Sequence, residues 1–295
     1  MGGTLSPEQI MYIVRIVVVV LALIPMVVLF AKLVRKPGYR HDTTRRWVDY
    51  TKVGFGLWML SHLLYIAVWS CLASAAYDRF FAPRHSVGVA VNVLIYMQFF
   101  VEVVLNLSFF LAVFYMAHAL TQLRTEGDEV SSAYRKGRGF ALGGSILVVL
   151  LSFVAFCLYL DDRFGRYYKE YEYLVASCLM LASYSILIIM AIGSVVYAAK
   201  SRKKAFGSGL EQAAKIVVTV SSLFLVRECW GLVNVFFGGG SYWGYYIVLC
   251  VLDIVLTTYL PLVILVLLYS VATKESYAMS KMQYQSKAID SDKGV

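Results

Sequence analysis

Residues Val217–Phe237 read VVTVSSLFLVRECWGLVNVFF, an apolar run interrupted near its middle by two adjacent charges, Arg227 and Glu228. About 20 apolar residues cross a 30 Å hydrocarbon layer as a helix. The run therefore reads as one membrane span carrying two groups that hydrocarbon opposes. A charged side chain at that depth costs roughly 2.5–3.5 kcal/mol on insertion scales. Partners for both charges are expected elsewhere in the chain.

The rest of the chain repeats the pattern of that run. Of 295 residues, 60% are apolar and 15% charged, against about 45–50% and 25% in a soluble domain. The excess falls in seven blocks, 10–34, 49–77, 88–120, 139–160, 171–199, 214–238 and 243–272. The predicted fold is all-α: a polytopic membrane protein built as a seven-transmembrane-helix bundle. Residues 1–9 form a short outer segment and 273–295 a polar tail. The first block is too long for a signal-peptide core, and Pro25 is followed by more apolar residues, so no cleaved signal is expected.

The net charge of +9 has a topological explanation. Twenty of the 27 Lys and Arg fall in the first, third and fifth loops and the tail, five in the other loops, and Arg15 and Arg227 within helices. The positive-inside rule then puts the N-terminus outside and the tail in the cytosol, in the plasma membrane or an endomembrane. The bilayer is the partner this charge implies, and no nucleic acid is expected. Cys71, Cys157, Cys178, Cys229 and Cys250 all sit inside apolar blocks at no metal-ligand spacing. Free thiols are predicted, with no disulfide framework, no metal and no cofactor.

Polar residues inside the blocks mark the candidate site. In the third block Gln98, Glu102 and Asn106 recur every four residues, a polar stripe about 12 Å long on one helix face. Lipid offers such a stripe no hydrogen-bond partners, so it must face the bundle interior. In the second block Trp58, His62, Tyr65 and Trp69 share a face, with His62 near mid-membrane. His62 reads either as a packed, hydrogen-bonded histidine or as a titrating, ligand-contacting one. In the sixth block Arg227, Gly231 and Asn234 share one face, with Gly231 leaving room for a neighbouring helix or a ligand, while Glu228 points about 100° away. The seventh block carries Asp253, with Thr257 one turn on and Pro261 beyond. Arg15 lies about one turn inside the outer end of the first block, where it can snorkel to headgroups. Gly139 and Gly143 form a small-xxx-small step that favours close helix packing.

By depth, Glu102, Arg227, Glu228 and Asp253 all fall near the bilayer centre. Three acids against one arginine require that at least one acid be protonated, face water, or pair with His62 or Arg15. The expected pairing is Arg227 with Glu102 and Asp253; Glu228 has no partner that spacing identifies. Such a constellation is either a helix-locking polar network or a ligand or proton site. The exposed basic residues Arg135, Lys136, Arg138, Arg202, Lys203 and Lys204 form a candidate surface for a cytosolic signalling partner.

Seven helices, an outer N-terminus, short loops and a cytosolic tail resemble the G-protein-coupled receptor layout across residues 10–272. The chain departs from the rhodopsin-type motifs. Tyr115-Met-Ala-His118 stands where an Asp-Arg-Tyr type sequence is expected, and Thr258-Tyr259-Leu260-Pro261 with Tyr269 replaces Asn-Pro-x-x-Tyr. No cysteine ties the third helix to the second outer loop, and the seventh has no lysine for retinal. The Arg227-Glu228 helix, followed by an aromatic-led helix with Asp253 and Pro261, is more similar to fungal seven-helix receptor-like membrane proteins. It is loosely similar to the lipid-translocating exporter family over residues 220–265. The resemblance implies a receptor that senses a small apolar or amphipathic ligand and couples to a cytosolic partner. Two other functions fit a buried acid: a lipid or proton-coupled transporter, or a membrane enzyme of the terpene-cyclase type using Glu102 or Asp253 as general acid. No residue is assigned as catalytic.

The charge asymmetry makes a direct prediction. An epitope fused after Val295 is expected to be digested by external protease only after the membrane is permeabilised. Digestion in sealed cells or vesicles of defined sidedness would reverse the assigned orientation.

Overall fold

A computed structural model describes residues 7–36, 45–78, 85–124, 132–164, 170–205, 210–237 and 246–274. Six long helices come first: α1 Pro7–Val34, α2 Arg46–Asp78, α3 His85–Arg124, α4 Ser132–Phe164, α5 Glu170–Ala205 and α6 Glu211–Phe237. The last traverse has three parts, α7 Tyr246–Asp253, a π-helical segment Ile254–Tyr259 and α8 Leu260–Thr273. No strand occurs among the described residues, and seven helices are long and apolar enough to cross a membrane. The helices overrun the apolar blocks. The α4 helix starts at Ser132 and α5 continues to Ala205, so Arg135, Lys136, Arg138, Arg202, Lys203 and Lys204 lie on helix ends, not in loops. The polar tail beyond Lys274, and Tyr167 and Tyr168 of the second outer loop, lie outside the described residues.

Helix α3 is the hub. It packs against α2, α4, α5 and α6, and 78% of its most apolar window is buried, against 22–39% for the other spans. Around it α1 packs on α2, α4 on α5, α5 on α6, and α8 on α6, α2 and α1. The core is built from large side chains of several helices, among them Met26, Phe55, Trp58, Phe109, Phe224 and Leu265. On α1, the residues Ile10, Val14, Val17, Leu21, Ile24 and Val28 form an exposed apolar stripe at helical spacing. Water would oppose such a stripe, whereas hydrocarbon accommodates it.

Small residues set the closest helix approaches. A Cβ added at Gly54 of α2 would stand 3.0 Å from the Ser108 hydroxyl and 3.4 Å from the Phe109 ring, so α2 and α3 meet there almost backbone to side chain. The packing expected at Gly139 and Gly143 is not made: neither glycine has anything within 4 Å of a built Cβ. Gly144, on a different face, meets Met190 of α5 at 3.5 Å instead. A two-residue spacing rule cannot tell which face of an apolar helix meets protein when both faces suit an apolar surround.

The π-helical segment follows from Pro261. Proline at the start of α8 has no N–H for the Thr257 carbonyl, and its ring crowds the preceding turn. A wider turn over Ile254–Tyr259 absorbs the mismatch, and π turns of this kind recur at functional sites. By contrast Pro25 lies within α1, which runs unbroken from Pro7 to Val34.

Replacing Gly54 by Leu is expected to lower stability by about 1–3 kcal/mol through overpacking. Gly56→Leu, on an open face, should change it little. Thermal unfolding of both variants in one detergent tests the pair, and equal effects would refute the close approach.

Candidate functional site

The polar residues of the interior form three linked groups, built on α1, α2, α3, α6 and the last traverse. The first is centred on Asp253. Its carboxylate accepts hydrogen bonds from Trp230 Nε1 at 3.3 Å and Asn234 Nδ2 at 3.1 Å. Arg15 Nη1 approaches it to 3.9 Å while donating to the Tyr65 hydroxyl at 3.1 Å. The Arg15 guanidinium lies 4.3 Å above the Trp69 ring, and the Tyr12 ring is tilted against Trp69 at 5.0 Å. The arginine expected to reach headgroups is therefore buried, 6% exposed, and takes the acid expected for Arg227.

Depth explains the exchange. Asp253 is seven residues from the start of α7, about 10 Å of helical rise, whereas Arg227 is ten residues from the end of α6, about 15 Å. That offset sets Asp253 level with Trp230 and Asn234. No ion pair joins Arg227 to Asp253 or Glu102 within 4 Å among the described residues.

The second group is held by α2 and α3. Glu102, half-buried, accepts from Gln98 Nε2 at 3.3 Å, the stripe neighbour one turn earlier, and from the Ser61 hydroxyl at 3.5 Å. Next to Ser61, His62 uses both ring nitrogens. Nδ1 lies 2.8 Å from the Trp58 carbonyl, which only accepts, so Nδ1 carries a hydrogen. In the neutral ring Nε2 then accepts from the Thr258 hydroxyl at 3.3 Å, tying α2 to the π segment. The predicted aromatic face of α2 is a continuous ladder, with Trp58–His62 at 3.9 Å, His62–Tyr65 at 6.4 Å and Tyr65–Trp69 at 5.6 Å.

The third group is the one the sequence opened on, and it is incompletely bonded. Arg227 and Glu228 are 5% and 0% exposed, and Arg227 Nη1 stands 3.6 Å from Glu228 Oε1. Adjacent residues leave a helix in directions about 100° apart, so the two meet at ion-pair distance without hydrogen-bond geometry. Arg227 Nε and Nη1 and the side-chain oxygen of neighbouring Asn106 are buried with no hydrogen-bond partner, while the Glu228 carboxyl group is approached by the Asn106 side-chain amide. Each orphaned buried atom costs about 1–3 kcal/mol, more where charged. The Arg227 guanidinium lies 5.8 Å from the Phe109 ring centre, a second face of contact. The space beside Gly231 is filled by α5: a Cβ there would sit 2.7 Å from the Tyr184 ring.

Spacing alone therefore missed the roles of Trp230, Ser61, Thr258 and Tyr184, placed Tyr65 only on the aromatic face of α2, and left Arg15 open between headgroups and a buried acid. Trp230 carried a usable signal, since it stands one turn from Asn234 on α6. Tyr184 stands two turns from Ser177 on one face of α5, a spacing that does not reveal its contact with Gly231. The structure keeps Arg135, Lys136, Arg138, Arg202 and Lys203 exposed at one end of the bundle. Among the described residues no His, Cys, Asp and Glu group is placed to hold a metal ion. No family model, curated protein or solved structure matches the chain.

The Arg227–Glu228 pair yields a sign-specific prediction. Glu228→Gln strands a buried cation and should cost about 3–5 kcal/mol, while the double change Arg227→Met, Glu228→Leu should be near neutral or stabilising. Thermal unfolding checks this cycle, and a double variant as unstable as the single one would show that the charges do more than offset each other.

Proposed function

We propose that this protein is a seven-helix membrane sensor, related to receptor-like seven-helix proteins, with its N-terminus outside and its basic ends and tail in the cytosol. A small amphipathic molecule is its ligand, and a cytosolic protein reads its state from the ends of α4 and α5. The observation that carries this reading is the sealed, incompletely bonded cluster of Arg227, Glu228 and Asn106 on α6 and α3.

A fully bonded network would be a static lock. This one leaves two Arg227 donors and the Asn106 side-chain oxygen unsatisfied. A second arrangement that satisfies them is favoured by their full desolvation cost, and a ligand supplying those bonds shifts the population toward it by its differential affinity. The Tyr184 ring, lying on Gly231, is the side chain that must move for a ligand group to reach them. Helix α6 connects this cluster to the basic end. It packs on α3, α5 and α8 and begins within a turn of the basic surface, where Glu211 bonds Lys215 at 2.9 Å. A tilt of α6 therefore alters the surface offered by the ends of α4 and α5.

One observation favours a transporter as a second reading. The last traverse changes helical form directly after half-buried Asp253, and discontinuous helices form the substrate site in many transporter folds. Counterflow of an apolar substrate in reconstituted vesicles, abolished by Asp253→Asn, would favour it over the sensor.

The sensor reading is tested by thermal shift of the purified protein against a panel of amphipathic small molecules. A binder present at 100 times its Kd should stabilise the protein by about 2.7 kcal/mol. The Arg227→Met, Glu228→Leu variant should fold and show no shift. An equal shift in that variant, or none with any compound in the native protein, counts against the sensor.

A further inference from the structure

Away from its two ends, the described part of the bundle holds two guanidinium groups, Arg15 and Arg227, and three carboxyl groups, Glu102, Glu228 and Asp253. The contacts divide them unequally. Arg15 lies 3.9 Å from Asp253, which also accepts hydrogen bonds from Trp230 and Asn234. Arg227 lies 3.6 Å from Glu228, whose carboxyl group the Asn106 side-chain amide approaches. Glu102 is the acid left over. Its two hydrogen bonds come from neutral donors, Gln98 at 3.3 Å and Ser61 at 3.5 Å, and both end on Oε1. Among the described residues Oε2 has no hydrogen-bond partner, and no cation stands within 4 Å of either oxygen.

Among the described residues, the helices packed on this stretch of α3 add no further cation. From α2 come Ser61 and His62, whose ring nitrogens are both bonded, to Trp58 and Thr258. From α4 come Phe153 and Phe156 against Phe100, with Tyr159 on Tyr96 further out. Tyr184 of α5 and both charges of α6, Arg227 and Glu228, lie within electrostatic reach, as does Asp253. An ionised Glu102 would be a third carboxylate in a membrane interior that holds two cations, each already opposed. A proton removes the excess charge and needs no new bonding partner. The geometry points to a proton-binding site at Glu102, with the hydrogen carried on Oε2. Protons reach it from the end of the bundle where α3 begins. Gln98 and Glu102 are half-buried there, whereas α3 is buried at every position from Leu105 to Leu120. Arg227 Nε and Nη1 lack partners, so a Glu102 that releases its proton is drawn to them and gives up Gln98 and Ser61. That second step rests on the sensor reading, in which α6 moves; the proton site itself does not.

The test reads protonated carboxyl groups through their infrared carbonyl stretch, on the full chain in dodecyl maltoside, which has no carbonyl of its own. At neutral pH the native protein is expected to show such a band, shifted in heavy water and lost reversibly at alkaline pH. Glu102→Gln, which matches the protonated side chain in shape and charge, should abolish it, and Asp253→Asn should leave it in place. Isotope labelling of glutamate carboxyl carbons should move the band in the unsubstituted chain, and the Arg227→Met, Glu228→Leu variant should retain it. Those two results identify Glu102 even where Glu102→Gln does not fold. The proton site is overturned by a native spectrum without the band at neutral pH, or by a band that survives Glu102→Gln or disappears with Glu228. A band that no pH tolerated by the fold removes overturns it equally. No ligand enters the measurement. A missing band alongside a ligand-induced thermal shift therefore overturns this site and leaves the sensor standing, and the reverse pair of results does the opposite.

Discussion

The structure depends on one constraint: a charge taken out of water must find its counter-charge nearby and bond it fully. Arg227 and Glu228 meet the first half of that requirement and miss the second. They neutralise each other at 3.6 Å, yet their divergent directions on α6 leave most of their hydrogen-bonding atoms unused. Three neighbouring helices surround this pair. Helix α3 brings Asn106 and Phe109, α5 lays Tyr184 on Gly231, and Glu102 stands close enough to feel the arginine without touching it.

The remaining charges are distributed so that each has a separate solution. Arg15 and Asp253 meet across α1 and the last traverse, with Tyr65, Trp69, Trp230 and Asn234 supplying bonds and a ring face. Glu102 is held by its own helix and by Ser61. His62 spans from α2 to the π segment. The π turn is a packing consequence of Pro261, and it is also what presents Thr258 to His62, so a backbone irregularity and a polar contact have one cause. The two outer groups are bonded and the central one is not, which concentrates the capacity for change on α6.

Much of this was legible in residue spacing. The seven spans, the Gln98–Glu102 step of the α3 stripe and the aromatic face of α2 follow from periods of 3.6 and from hydropathy. The partner of each charge was not legible. Arg15 was read chiefly as reaching headgroups, with an acid as the alternative, and nothing in its neighbours reveals that Asp253 and Tyr65 are the groups that arrive there. Glu228 lacked a partner because its own face offers Ser221 only two turns away, and Arg227 leaves the helix about 100° from it. Gly231 was legible as a gap, but its occupant is Tyr184 of α5, and spacing within α5 does not say which helix its face meets.

The sequence by itself determined the class of fold, since hydropathy in blocks of spanning length admits few alternatives and a polar stripe can face only inward. It also determined which side chains are costly to bury. Only the tertiary structure decided how those costs are met. Pairing depends on the relative depth and rotation of helices that are apolar all round, and a shift of one turn, about 5 Å, exchanges one partner for another. Asp253 went to Arg15 on that account. Arg227 was left with its neighbour in the chain, close enough to cancel its charge and too poorly directed to satisfy its hydrogen bonds.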